Sequence, residues 1–160
     1  SRWQAESGAQ RLRIGDADVV LDLGATVPAE PAIVWAYLTS PTLRTLWEGP
    51  LVIEETLAGG RRGVGALAQC VTGRLATLEE IVDWQPYDHV GWQLAVPALG
   101  PVVATADLEA VRGGTRIRVR WQYQGESPID AADLRRIRAD REAALGRLGS
   151  VVAGRAAIDS

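Results

Sequence analysis

From Thr115 to Gln124 the chain reads Thr-Arg-Ile-Arg-Val-Arg-Trp-Gln-Tyr-Gln, a strict two-residue alternation. Ile117, Val119, Trp121 and Tyr123 share one face; Arg116, Arg118, Arg120 and Gln122 share the other. Such a period means a strand with one buried and one wetted face. Directly after it, from about Ile129 to Ala157, apolar residues recur at three- and four-residue steps: Leu134, Ile137, Ala144 with Leu145, Leu148, and Val151 with Val152. Such a helix is ~40 Å long, against ~34 Å for a ten-residue strand, so one helix can lie across the sheet. A one-sided sheet gripping a single long helix can leave a hollow between its layers.

The rest of the chain supplies that sheet. Val19, Leu21, Leu23, Ala25 and Val27 alternate as a first strand. Pro28 and Pro31 open a short helix to Thr39, and Ser40-Pro41 restarts a second that ends near Glu48. Glycine and proline breakers at Gly59-Gly60, Gly63, Gly65, Gly73, Pro86, Pro97, Gly100-Pro101 and Gly113-Gly114 then divide the chain into six strands. These run Leu51–Leu57, Gly65–Val71, Arg74–Gln85, His89–Val96, Val102–Val111 and Thr115–Gln124. The polar stretch 1–17 reads as a lead-in or linker, and 18–157 as one domain, as 160 residues allow.

Composition closes several routes. All 17 basic residues are arginine, so lysine Schiff bases, lysine general bases and a phosphate-loop lysine are excluded. One histidine and one cysteine cannot build a Cys/His zinc site, and no metal or cofactor is expected. A net charge of -3 gives no basic footprint for nucleic acid. No apolar run reaches the ~18 residues of a membrane span, and no signal-peptide pattern opens the chain, so a cytoplasmic location is expected. With no initiating methionine, the chain reads as a processed or excised piece. A longer parent chain and a homodimer are both open.

The last hairpin can be read pair by pair. With Gly113-Gly114 as a two-residue turn, Arg112 faces Thr115, Glu109 faces Arg118 and Asp107 faces Arg120 on the wet side. On the inner side Leu108 meets Val119, Ala106 meets Trp121 and Ala104 meets Tyr123. The arginines read as a solvated face. The small alanines leave space beside the rings, which fits either ordinary core or a cavity wall. Val90, Trp92, Leu94 and Val96 extend the inner face.

In the strand before it, Leu78, Glu80, Val82 and Trp84 share the inward face, with Thr77, Glu79 and Asp83 outward. Glu80 is then the inward carboxylate, a candidate acid or base whose proton affinity a dry site would raise. Arg141 interrupts the apolar stripe of the long helix, where it either snorkels outward or points into the hollow, to bind a ligand oxygen or pair with Glu80. Gly146 and Gly149 mark a bend or a close approach. His89, at a loop edge on the outer face, and Cys70 read as structural. The glycine-rich 59–65 stretch precedes a strand and lacks lysine, so it is no phosphate loop.

Several short motifs, in order, resemble a known superfamily. They are Val27-Pro28-Ala29-Glu30-Pro31-Ala32-Ile33-Val34-Trp35, Leu46-Trp47-Glu48, Gly63-Val64-Gly65, the 79–84 strand before Pro86, and Gly113-Gly114-Thr115. Together, from Val19 to about Gly154, they resemble the START-like, or SRPBCC, superfamily; the 65–86 stretch is also similar to such domains found beside class III nucleotide cyclases. The resemblance implies an α+β helix-grip fold: a curved seven-stranded antiparallel sheet, two short helices and one long C-terminal helix around a cavity for hydrophobic ligands. Its members include polyketide cyclases, lipid-transfer domains and chaperone co-activators, so fold does not fix function.

Two expectations follow. A carrier or sensor would bind an aromatic or polyketide-like molecule against Trp92, Leu94, Leu108, Val119, Trp121 and Tyr123, with Arg141 and Leu145 on the helix. A polyketide cyclase or dehydratase would add Glu80 as proton shuttle, with Arg141 and Tyr123 steadying enolate oxygens.

Overall fold

Among the described residues, seven strands and three helices form in the order that the alternation, breakers and proline starts dictate. The computed structural model describes residues 11–49, 52–57, 60–72 and 75–159. Residues 1–10, the strand ends Leu51 and Arg74, and the breakers Gly59 and Gly73 lie outside the described residues. The strands are β1 (Val19–Val27), β2 (Val52–Thr56), β3 (Leu67–Thr72), β4 (Leu75–Gln85), β5 (His89–Val96), β6 (Gly100–Val111) and β7 (Gly114–Tyr123). Helix α1 spans Pro31–Thr39, α2 spans Pro41–Arg44, and α3 spans Ala131–Asp159.

All strand pairs are antiparallel in one sheet of order β1-β7-β6-β5-β4-β3-β2. β1 and β2 therefore sit at opposite edges, and α1 and α2 carry the chain between them. Helix α3 packs against β1 and turns Ala144, Leu145, Leu148 and Val152 into the core. This is the helix-grip arrangement, an α+β fold. Among the described residues, no helix is long and apolar enough to cross a membrane.

The final hairpin has the expected faces but a register two residues away from the sequence reading. Val111 pairs with Gly114, Leu108 with Ile117, Asp107 with Arg118, Ala106 with Val119, Ala104 with Trp121 and Val102 with Tyr123. Only Gly113, at φ +89°, serves the turn. Gly114 belongs to the strand, where a Cβ would stand 2.0 Å from the Val27 carbonyl oxygen of β1. A slip of two keeps every side chain on its face, so hydrophobic patterning cannot detect it.

The phase of β4 differs as well. Leu78, Glu80 and Val82 are exposed on the outer face, while Glu79 and Ile81 turn inward. The pairing with β5 shifts between Ile81 and Asp83, a bulge that returns Trp84 to the inner side opposite Val90. Running one alternation back from Trp84 through this extra residue placed the earlier part of β4 on the wrong face.

The described part of the polar lead-in is docked on the sheet. Ile14 is buried, and the Leu12 amide donates to Asp83 Oδ2 at 2.8 Å. Arg120 donates to the Ile14 carbonyl at 2.6 Å and to Asp16 at 2.5 Å. Arg120 is thus a clamp and not a solvated side chain. Beneath this segment His89 is only 1% exposed, with Nδ1 2.7 Å from Asp107 and Nε2 3.2 Å from Asp83.

Candidate functional site

A dent in the inner face comes from alternation of residue size. Across one row, Ala104 of β6 lies between Trp121 of β7 and Trp92 of β5. In the next row Ala106 lies between Val119 and Val90. A small side chain flanked by large ones leaves a depression that the neighbouring rings cannot fill, because each is held in register by its own strand.

Helix α3 roofs this dent with Leu145 and Arg141, Leu23 of β1 and Leu38 of α1 close two sides, and Trp47 stands at the turn after α2. The hollow has a cavity volume of about 90 Å³ and is partly open to solvent. An apolar cavity that takes benzene has ~150 Å³, so a ring-sized guest here reaches past the cavity toward its open side.

One side of the hollow is charged. Arg44, at the end of α2, donates from both terminal nitrogens to Glu79 at 2.8 and 2.9 Å, and from Nε to Glu48 at 2.9 Å. Their side chains are only 10–12% exposed. A bidentate guanidinium–carboxylate pair suits such burial, because each charge keeps its hydrogen bonds. Burial acts to lower the pKa of Arg44, but the charges of Glu48 and Glu79 outweigh it and hold the pKa well above the ordinary value. Cys70 donates its thiol to Glu79 at 3.3 Å. Burial, with the Glu79 charge behind it, pushes that thiol up to about 12. Cys70 is a protonated core residue.

Two arginines of α3 hold the turn after α2. Arg147 donates to the Trp47 carbonyl at 2.8 Å, and Arg141 Nη1 reaches Glu48 Oε1 at 3.4 Å. The Trp47 indole donates to the Tyr37 carbonyl at 2.8 Å, fixing the turn against α1.

Of the residues expected at the site, Trp92, Leu94, Val119, Trp121, Arg141 and Leu145 line the hollow. Arg141 points inward but pairs with Glu48, not Glu80. Glu80 is exposed on the opposite face of the sheet, so it is no acid or base of this hollow. Leu108 is packed core. Tyr123 sits one row past the dent, and its hydroxyl donates to the Ser127 carbonyl at 2.9 Å, tying down the approach to α3. Neither lines the hollow.

Sequence reasoning missed Glu79, Arg44 and Glu48. The four-residue step from Arg44 to Glu48, in the short helix expected to end near Glu48, was the available signal. Helix α2 ends at Arg44, but the Glu48 amide still donates to the Arg44 carbonyl at 3.0 Å, so the turn keeps both on one side. Gly146 and Gly149 have open space where a Cβ would be, so neither answers to a close contact within the chain. Among the described residues, no group of three or more His, Cys, Asp or Glu side chains is placed to hold a metal ion.

The fold recurs in solved structures. A Rhodobacter sphaeroides protein is 22% identical, with TM-score 0.72, covering 90% of this chain and 98% of its own. Protein MLL2253 of Mesorhizobium loti is 16% identical, with TM-score 0.69, covering 83% and 96%. DynU16, from the dynemicin biosynthetic locus, is 18% identical, with TM-score 0.67; the match covers 83% of this chain and 46% of that one. At these identities the likeness is one of fold. None of the curated proteins is significantly similar in sequence. The family model for polyketide cyclase/dehydrase and lipid transport proteins, however, matches residues 19–153, the whole sheet and most of α3, and the chain belongs to that family.

Proposed function

We propose that this protein binds an apolar small molecule, aromatic or polyketide-like, in the hollow between the sheet and α3, as a carrier or sensor. The observation that carries this reading is the alanine-floored dent between Trp92 and Trp121, roofed by Leu145. Apolar walls with a few fixed polar groups are what a small-molecule site needs. Membership of a family that joins polyketide cyclases with lipid transport proteins supports a hydrophobic guest.

The alternative, a cyclase or dehydratase, needs an acid or base that can exchange protons with the guest. Glu80 faces away, and Glu79 has both carboxylate oxygens engaged by Arg44. Glu48, the other inward carboxylate, is held by Arg44 at 2.9 Å and faces Arg141 at 3.4 Å, and acids held by arginines in this way favour binding over turnover.

The test is uptake of naphthalene, followed by the indole N–H signals of Trp92 and Trp121. Ala106→Phe fills the dent and abolishes the shifts, while Glu80→Gln leaves affinity unchanged. Undiminished uptake by Ala106→Phe would mean that the guest sits elsewhere.

A further inference from the structure

Given the ligand-binding reading of the hollow, on which this rests, we infer that Glu48 and Arg141 select an uncharged guest that presents a hydroxyl, and that they reject carboxylates. The four charged side chains lining the hollow are Arg44, Glu48, Glu79 and Arg141, two of each sign. Their sum is zero, so the hollow has no charge for an ionic guest to neutralise. A carboxylate would enter beside Glu48 and Glu79, and an ammonium beside Arg44 and Arg141. In a hollow only partly open to solvent, either repulsion is stronger than in bulk water.

Within this set the contacts are unequal. Arg44 and Glu79 are closed on each other, at 2.8 and 2.9 Å, and Glu79 also takes the Cys70 thiol. Glu48 Oε2 is held by Arg44 at 2.9 Å. The slack contact is Glu48 Oε1 to Arg141 Nη1 at 3.4 Å, beyond the ~2.7–3.2 Å of an ordinary N–H···O bond. Nε and Nη2 of Arg141 are turned to Asp140 at 3.1 and 3.0 Å, which leaves Nη1 facing Glu48.

A group between Glu48 and Arg141 must accept from an N–H and donate to a carboxylate. A hydroxyl does both, trading one long contact for two good ones. A carbonyl or ether only accepts, and leaves Glu48 Oε1 without a donor. A hydrocarbon strips water from both groups and returns nothing. The apolar dent takes the body of such a guest, an alcohol or phenol, with its oxygen at the Glu48–Arg141 end.

The test compares naphthalene, 2-naphthol and 2-naphthoate at neutral pH, by calorimetry on the whole chain and on two variants. Wild type binds 2-naphthol about tenfold more tightly than either of the others, as expected for a charge-assisted hydrogen bond. Glu48→Gln leaves the lining one unit positive and narrows the gap between naphthol and naphthoate. Arg141→Gln leaves it one unit negative and widens that gap. A general loss of folding would move both variants the same way.

Equal binding of all three probes overturns this inference while the hollow remains a binding site. A preference for naphthol with both variants shifting in the same direction removes Glu48 and Arg141 from recognition. Rejection of all three by wild type overturns the ligand-binding reading itself.

Discussion

Glu79 and Arg44 join two distant parts of the chain through groups that water would otherwise keep apart. Both side chains are about a tenth exposed, so removing one leaves its partner charged in a nearly dry place. Glu79→Ala should cost about 3–5 kcal/mol of stability in urea unfolding, because Arg44 loses two hydrogen bonds at once. A cost under ~1 kcal/mol would mean that water already reaches the pair. Cys70 gives a pH signature. Its thiol is pushed up to about 12 in the folded chain, against an ordinary value of 9.0. The folded state prefers the protonated form, so this contribution is intact below pH 9.0 and is lost as pH rises toward about 12. Wild type should therefore lose stability faster than Cys70→Ala across that window, by ~1.4 kcal/mol per pH unit at most. Parallel curves for the two proteins would show an accessible thiol. None of this was legible residue by residue. Glu79 and Glu80 are identical neighbours, and only the bulge beyond Ile81 decides which one faces in.

At the scale of elements, the last hairpin shows what pattern can and cannot fix. Period-two alternation gave β7 its buried face correctly, because Cβ direction follows from local strand geometry. It could not choose between registers two residues apart, which bury the same side chains. The choice is made by β1, whose Val27 carbonyl comes so near Gly114 that no side chain fits there. Gly114→Ala should thus destabilise the hairpin by several kcal/mol, whereas Gly113→Ala, which meets no atom, costs only the strain of its positive φ, of order 1 kcal/mol. Thermal unfolding of the two variants checks this. The opposite ranking would restore the two-glycine turn. Helix α3 was more legible, because its stripe of Ala144, Leu145, Leu148 and Val152 is also its buried face. The exception was Arg141, whose partner Glu48 lies 93 residues away in sequence.

For the whole molecule, both faces of the sheet are used. The inner face holds the hollow, and the outer face carries the segment from Arg11 to Asp16 over His89, Asp83 and Gly91. A Cβ on Gly91 would stand 2.9 Å from a Leu12 methyl carbon and 3.3 Å from Asp83 Cβ. Gly91→Val should lift this segment and speed amide hydrogen exchange at Leu12 while the β6–β7 pairing stays protected. Unchanged exchange at Leu12 would mean that the segment is held from elsewhere. The sequence by itself determined the element order, the faces of β1, β5, β6 and β7 and the amphipathic helix, since each reflects backbone geometry repeated over a few residues. Only the tertiary structure decided which glutamate of β4 enters the hollow, which arginines are clamps, and that Ala104 between two tryptophans leaves a space. A bulge, a strand offset and a long-range ion pair all depend on what a neighbouring strand or helix presents, and no local periodicity records that.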